Sequence, residues 1–247
     1  MTPKTSVLSI SMPKAGSSIC DLILLDFYAE AGFDIDRIAE RSQESSKSEP
    51  DFFKEYQGKM KLEGVYYGVA RGIYVRDMPI LDNMRLVVQV RDPRDCLVSA
   101  YFSYAKSHKI PVDPAKRAAF EEMRSKTAEK SIDEYVLGYA HSYRDRMRLL
   151  RQFVDRGEGV LFLRYEEMVL ETDAWLSKII EFSGQPMTDS LKERLGNKID
   201  FTVDHEDPEK HKRQVIPGDH ARKLKPETVT EINEILRDEM QYFGYSV

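Results

Sequence analysis

Four short apolar runs are spaced along the chain, and each is followed by a turn of polar or small residues. Their length and composition predict β-strands, at Ser6–Ser11, Gly64–Val69, Arg85–Arg91 and Gly159–Met168. The third run is β-branched and apolar on both faces, which is typical of a central strand in a parallel sheet.

Most segments between and after these runs have the apolar spacing of amphipathic helices. Ser131 and Glu134 form a capping box at the start of the longest helix. Strands that alternate with helices predict an α/β fold, with helices on both faces of a parallel sheet. The predicted helices are Cys20–Gly32, Asp92–Ser107, Asp113–Lys130, Ser131–Phe153, Thr172–Ser183, Asp189–Gly196 and Pro226–Gly244.

Repeats and linkers are not apparent, so we predict one domain over residues 1–247. The polar stretch Arg41–Asp51 is predicted to be a mobile surface loop. Mobile segments are also predicted near residues 108–130 and 197–220, where the sequence is charged.

Composition narrows the possible functions. With 41% hydrophobic residues the chain can bury a core, and its net charge of −5 argues against sequence-independent binding of nucleic acid. Its N-terminus has no long apolar region typical of a signal peptide, and no apolar run is long enough to span a bilayer. Its two cysteines, Cys20 and Cys96, are expected to be free thiols in a reducing cytoplasm.

The loop between the first strand and the first helix has the chemistry of an anion site. Gly16 lets the backbone approach a ligand, Ser17 and Ser18 add hydroxyl donors, and Lys14 adds a charge. In an NTPase P-loop the lysine follows the glycines, whereas here it precedes Gly16, so an ordinary ATPase fits poorly. A plain turn with a surface lysine is the alternative.

A second motif, "RDPRDCLVSAYFSY", follows the third predicted strand. Arg91 falls at the carboxyl edge of the sheet, where open α/β folds bind ligands, and Ser99 lies one to two turns into the next helix. A guanidinium and a hydroxyl suit a phosphate monoester. Alternatively, Arg91 pairs with Asp92 or Asp95, and Ser99 is a helix surface residue.

Together the two motifs resemble those of sulfotransferases that use 3′-phosphoadenosine 5′-phosphosulfate (PAPS). "PKAGSS" is similar to the family's PKSGTT-type 5′-phosphosulfate loop, and the second motif is similar to its 3′-phosphate motif. The resemblance implies a P-loop-like fold and a PAPS site whose product is adenosine 3′,5′-bisphosphate (PAP). It also implies that Lys14, Ala15, Gly16, Ser17 and Ser18 hold the 5′ end. Ile19 replaces the tryptophan that stacks on adenine in many cytosolic members.

Three further segments are similar to parts of the family's nucleotide site. "RYEEM" implies that Tyr165 lies near adenine, and "KIDFTVDHE" suggests an aromatic contact from Phe201; packing at a strand end or in the core is the alternative for each. "HKRQVIPGDH" is similar to a C-terminal segment that grips the 3′-phosphate, through Lys212, Arg213 and Gly218 in this chain. A charged solvent loop is the alternative there.

The resemblance also implies a mechanism. Lys14 would stabilise charge on the leaving phosphate oxygen during in-line transfer, without a metal, and Ser99 would restrain Lys14 until the acceptor arrives. A hydroxyl acceptor needs a base. Glu49, in a segment loosely similar to the glutamate segment of heparan-type relatives, is the tentative base, and His108 is a weaker candidate.

Two rival functions stay open: a P-loop nucleotide kinase, which would need ATP and Mg²⁺, and a non-catalytic nucleotide-binding module. A metal site built from His205, His211 and His220 is disfavoured, because their spacing matches no compact zinc pattern. The acceptor is a small molecule, a peptide or a glycan, and we expect no nucleic-acid partner.

Overall fold

A computed structural model describes residues 4–108, 110–111, 113–201 and 215–247. Its sheet has five strands, all parallel, in the order β2-β3-β1-β4-β5. The strands are Val7–Ser11 (β1), Asp34–Asp36 (β2), Val65–Ala70 (β3), Arg85–Val90 (β4) and Val160–Arg164 (β5).

Helices flank this sheet. The predicted α/β fold, a P-loop-like parallel sheet flanked by helices, is therefore confirmed. The helices are Ser17–Glu30 (α1), Ile38–Glu44 (α2), Glu49–Tyr56 (α3), Pro93–Phe102 (α4), Pro114–Ala128 (α5), Ile132–Val154 (α6), Tyr165–Leu170 (α7), Thr172–Ser183 (α8), Asp189–Leu195 (α9), Asp219–Lys223 (α10) and Pro226–Tyr242 (α11).

The described residues form two compact units, and the sheet belongs to the first. This unit consists of Met1–Val90 and Leu149–Phe201, and the second consists of Arg91–Arg148 and Thr202–Val247. The single domain over residues 1–247 stays a prediction.

The first unit is organised around its central strands. Every residue of β1 and β3 is buried, as expected for parallel strands covered on both faces. Trp175 of α8 is fully buried in the same core. On another part of this core Tyr28 of α1 stacks on Tyr66 of β3, with ring centroids 4.7 Å apart.

The carboxyl ends of the strands meet at one edge of the sheet. β1 lies between β3 and β4, so the chain leaves β1 toward one side of the sheet and later crosses to the other. Ligands of open α/β sheets bind outside the carboxyl ends at such a reversal of strand order. The loop that joins β1 to α1 leaves the sheet at this point.

The second unit is helical in its described part. Helix α4 is almost entirely buried, including the charged Arg94 and Asp95. Arg94 is neutralised by Asp92, with Nη2 and Oδ2 2.6 Å apart, and it also donates to Asn233 of α11. The capping box predicted at the start of α6 is present, because Ser131 and Glu134 exchange hydrogen bonds.

Two local predictions were wrong, and one strand was missed. Most of Arg41–Asp51 is not a loop but belongs to α2 and α3, the second of which is capped by Ser48 accepting from the Asp51 N–H. The fourth strand ends at Arg164 rather than Met168, since α7 begins at Tyr165. The short edge strand β2 was not predicted.

Candidate functional site

The loop after β1 joins a fully buried central strand to the N-terminus of α1. It comprises residues 12–16 and is called the Lys14 loop below. Lys14 has φ 69° and Gly16 has φ 71°, and Lys14 is the one residue other than glycine with a positive φ in the described part of the chain. For a residue with a side chain such as Lys14, this backbone conformation costs free energy and occurs mainly where the surrounding structure imposes it, often at functional sites.

One hydrogen bond anchors the Lys14 loop to the sheet, and a second joins the two strands at the point where the loop begins. The buried amide of Gln89, in β4, donates from Nε2 to the Ala15 carbonyl oxygen over 2.6 Å. Ser11, at the end of β1, donates to the Gln89 carbonyl oxygen over 2.9 Å. The loop is therefore held by a neighbouring strand as well as by its own chain.

The N-terminus of α1 is suited to an anion. In this fully described segment the first turn carries no acidic side chain, and the residue before it, Gly16, has no side chain that could cap the helix. The first backbone N–H groups of a helix have no intrahelical acceptors, and the helix dipole favours negative charge near them. A phosphate or sulfate group at this point would accept hydrogen bonds from these amides.

Two serines predicted to bind the anion meet an arginine that the sequence did not indicate. Arg71 follows β3 directly and donates from Nε to Ser17 Oγ over 2.7 Å and from Nη2 to Ser18 Oγ over 3.2 Å. Ser17 is buried, and Ser18 is exposed. Because β3 pairs with β1, the carboxyl ends of the two strands are adjacent, and this brings Arg71 to the start of α1.

Carboxylates and tyrosines surround Arg71. Asp21 of α1 accepts from the Tyr66 hydroxyl over 2.8 Å, and burial raises the pKa of Asp21, partly offset by that hydrogen bond and by the charge of Arg71. Burial lowers the pKa of Arg71, and the negative charges of Asp21 and Glu49 oppose this change. Arginine stays protonated in proteins, so the group remains cationic at neutral pH.

Glu49, the tentative base, lies at the start of α3 and is exposed. Its Oε1 accepts from the Tyr74 hydroxyl over 2.8 Å, and its charge acts on Arg71. Arg71, which the charge of Glu49 affects, is the residue that donates to the two serines of α1. The role of Glu49 as a base stays a prediction. The weaker candidate His108 contacts Ser103, with Nδ1 and Oγ 3.4 Å apart.

Tyr165 is buried and lies directly against the Lys14 loop. A Cβ atom built on Gly16 would lie 2.5 Å from the Tyr165 ring, which is closer than any real contact. The ring thus occupies the space that a side chain at position 16 would need. Phe201 is partly buried and packs against the core cluster that contains Tyr165. Contact with adenine stays a prediction for both residues.

The second unit holds the residues assigned to the 3′-phosphate. Arg91 is buried, with Nη2 3.6 Å from Oδ2 of Asp95, so the ion pair considered from the sequence is present. Asp95 is already well supplied with donors, because it accepts from the backbone N–H of Gly218 over 2.7 Å and from that of His220 over 2.9 Å. Half-buried Ser99 lies on α4.

Asp95 is an ionised carboxylate at the centre of this group. Its Oδ1 lies 2.7 Å from Nδ1 of His220. Burial favours the neutral acid, but the hydrogen bonds from His220 and the charge of Arg91 outweigh burial and hold the pKa of Asp95 well below its usual range. The Arg91–Asp95 contact is longer than a charge-assisted hydrogen bond, which is about 2.7–2.9 Å.

Some predicted residues lie outside the part that the structure describes, namely Lys212, Arg213, His205 and His211. Within the described ranges, no group of three or more His, Cys, Asp or Glu side chains is arranged to hold a metal ion. None of the helices in those ranges combines the length and apolar character needed to cross a bilayer.

Comparison with known proteins gives a family. The model of the sulfotransferase domain matches residues 75–244, which is more than half of the chain. No curated protein matches the sequence.

Solved structures of sulfotransferases share the fold. Mouse sulfotransferase SULT7A1 complexed with PAP is 18% identical, with a TM-score of 0.56 over 96% of this chain and 84% of that one. Sulfotransferase STF9 from Mycobacterium avium is 11% identical, with a TM-score of 0.55 over 100% of this chain and 79% of that one. A structure of retinol dehydratase with androsterone and PAP is 15% identical, with a TM-score of 0.50 over 98% of this chain and 82% of that one.

Proposed function

This chain belongs to the sulfotransferase domain family, and from that premise we propose that its sulfuryl donor is PAPS. The acceptor is a hydroxyl or an amine of a small molecule, a peptide or a glycan. The observation that carries the proposal is the segment of residues 14–18. It places a lysine with a left-handed backbone, a glycine in contact with Tyr165 and two serine hydroxyls at an uncapped helix N-terminus.

These residues fit the 5′ end of PAPS. A phosphosulfate is a diffuse anion with many acceptor oxygens, and residues 14–18 offer backbone amides, two hydroxyls and an ammonium group. The first turn of α1 has no carboxylate that would repel the anion. SULT7A1 and retinol dehydratase were solved with PAP, and the same nucleotide is the expected product here.

PAPS supplies the sulfuryl group and a phosphate leaving group. The task of Lys14 is to neutralise the charge that develops on the leaving phosphate oxygen, as a preorganised cation does in electrostatic catalysis. The left-handed backbone of Lys14 fixes where its side chain leaves the loop. Ala15, Gly16, Ser17 and Ser18 hold the 5′-phosphate through amides and hydroxyls.

We propose that Glu49 is the general base that removes the proton from the acceptor group. The carboxylate is exposed, and its hydrogen bond from Tyr74 fixes the orientation of one oxygen. A general base must reach the proton that it removes, directly or through one water. The electrostatic link between Glu49 and Arg71 supports a position near the anion-binding serines.

Arg91 and Ser99 are proposed to bind the 3′-phosphate, helped by Lys212, Arg213 and Gly218. Tyr165 and Phe201 are proposed to contact adenine. We also propose a cytoplasmic location, because Cys20 and Cys96 are both free thiols.

A thermal-shift series tests the donor. The unfolding temperature is measured with PAP, ADP and ATP, each with and without Mg²⁺. PAP should stabilise the protein most, and Mg²⁺ should not be needed. A preference for ATP with Mg²⁺ would instead indicate a nucleotide kinase.

Transfer of labelled sulfate from PAPS to a panel of phenols, sterols, amines, tyrosine peptides and glycans then tests catalysis. A Lys14→Met variant, which has a side chain of similar length without the charge, is the matched control. PAP binding without transfer to any acceptor class would favour the non-catalytic binding module.

A further inference from the structure

Arg71 holds two hydroxyl groups at the start of α1. Its Nε donates to Ser17 Oγ over 2.7 Å and its Nη2 donates to Ser18 Oγ over 3.2 Å. One planar guanidinium therefore fixes two consecutive side chains of the segment that we assign to the 5′-phosphate. A lysine ammonium, which is a compact point charge, lacks the rigid fork that spans two acceptors in this way.

The direction of these hydrogen bonds determines what the serines offer to a ligand. Arginine has five N–H donors and no acceptor, so Ser17 and Ser18 receive hydrogen bonds from Arg71 through their oxygens. A hydroxyl has one hydrogen to donate, and that hydrogen cannot point back to Arg71. The hydroxyl hydrogens of Ser17 and Ser18 are thus directed to some other acceptor, and the oxygens of a bound phosphate would be suitable ones.

The structure supports Arg71 from other elements of the first unit. The carboxylates of Asp21, on α1, and Glu49, on α3, both stabilise its charge. Asp21 is itself fixed by the Tyr66 hydroxyl over 2.8 Å, and Glu49 by the Tyr74 hydroxyl over 2.8 Å. Arg71 is therefore part of a hydrogen-bonded and charged network rather than a mobile surface side chain.

We propose that Arg71 is a positioning residue of the nucleotide site, which orients the Ser17 and Ser18 hydroxyls as donors to the 5′-phosphosulfate of PAPS. The proposal rests on the proposed function. It assigns Arg71 to recognition of the 5′ end of the nucleotide, and not to recognition of the 3′-phosphate or the base.

The affinities of two nucleotides distinguish recognition of the 5′ end from recognition of the 3′-phosphate and the base. The affinities of PAP and of adenosine 3′-monophosphate, which lacks the 5′-phosphate, are measured by calorimetry or by competition for wild type, Arg71→Met and Arg71→Lys. Arg71→Met should weaken PAP binding by about tenfold or more, which is typical of lost charge-assisted hydrogen bonds. Binding of adenosine 3′-monophosphate should change by less than about twofold. Arg71→Lys should recover part of the PAP affinity.

Arg76→Met is the matched control. Arg76 also follows β3, but its side chain is 61% exposed and pairs with Asp77. This variant should bind both nucleotides as the wild type does. Thermal denaturation of every variant checks that the protein is folded. If Arg71→Met does not fold, Arg71→Lys and the serine variants below provide the same comparison.

A double-mutant cycle tests whether Arg71 acts through the serines. In a Ser17→Ala, Ser18→Ala background, Arg71→Met should reduce PAP affinity much less than it does in the wild type. Equal losses in both backgrounds, or equal losses for the two nucleotides, would overturn the role of Arg71 while PAP binding by the wild type still supported the proposed function. A wild-type protein that does not bind PAP would overturn both.

Discussion

The Tyr165 ring occupies the space next to Gly16, so that a Cβ atom at position 16 would lie 2.5 Å from the ring. Gly16 also has φ 71°, a backbone conformation that residues with a side chain rarely adopt. Position 16 therefore requires glycine for two separate reasons. The position of the Tyr165 ring thus depends on the absence of a side chain at position 16.

Replacing Gly16 with alanine should combine both penalties. We expect the free energy of unfolding to fall by about 2–4 kcal/mol, from a left-handed backbone and an overpacked contact. Gly32→Ala is the control, because Gly32 has φ 77° but open space around it, and it should cost only about 1–2 kcal/mol. Urea denaturation measures both variants. If both variants lose the same free energy of unfolding, the Tyr165 ring moves away from position 16 without an energetic cost.

The backbone of Lys14 leads to an unusual order of stability among its variants. Glycine tolerates φ 69° and alanine does not, so Lys14→Gly should be more stable than Lys14→Ala by about 1 kcal/mol. At the exposed Lys126, in the last turn of α5, the order should be reversed, because alanine favours a helix over glycine. Denaturation curves of the four variants check this. Both Lys14 variants should lose sulfuryl transfer.

Gly72 leaves room for the ring that reaches Glu49. A Cβ atom on Gly72 would lie 1.9 Å from the Tyr74 ring, although φ of Gly72 is an ordinary −99°. Gly72→Ala should therefore displace Tyr74, break its hydrogen bond to Glu49 and lower the free energy of unfolding by about 1–3 kcal/mol. In a Tyr74→Ala background the same substitution should cost almost nothing.

Gly138→Ala provides the comparison for Gly72→Ala. Gly138 lies inside α6 with open space around it, so alanine there should raise the stability by about 0.5–1 kcal/mol. A Gly72→Ala variant that behaves in the same way would contradict the close contact with Tyr74.

The central strands were predicted correctly because each is a short run rich in apolar residues. The sequence did not predict β2, whose three residues "DID" are two aspartates around one isoleucine and become a strand through pairing with β3. The serines and charges of Arg41–Asp51 predict a loop. Yet this stretch contains a helix start, since Ser48 caps α3 and Pro50 follows in the first turn. Local capping chemistry outweighed the polar composition.

Candidate site residues could be predicted only where they belong to a motif. Lys14, Gly16 and the two serines stand in one short segment, so their spacing was informative. Arg71 stands alone in "VARGIY", and its contact with Ser17 joins residues far apart in the sequence. The position of Arg71 just after a strand beside β1 was the available signal, because ligands of such sheets bind at the carboxyl ends of the strands.

Asp95 should make the stability of the protein depend on pH. It is fully buried, and it accepts hydrogen bonds from Gly218 and His220 beside Arg91, so Asp95→Asn should lower the free energy of unfolding at pH 7 by about 3 kcal/mol. The pKa of Asp95 is lower in the folded state than in the unfolded state. The stabilisation that the ionised carboxylate gives to the fold is therefore complete above the unfolded pKa of about 3.9, and it is lost progressively as the pH falls below that value. The difference between wild type and variant should therefore be constant near pH 7 and shrink toward pH 3. Urea denaturation across this range measures it, with Asp145→Asn, at an exposed position of α6, as a control of little effect. A difference that stays the same from pH 7 to pH 3 would mean that the charge of Asp95 does not stabilise the fold.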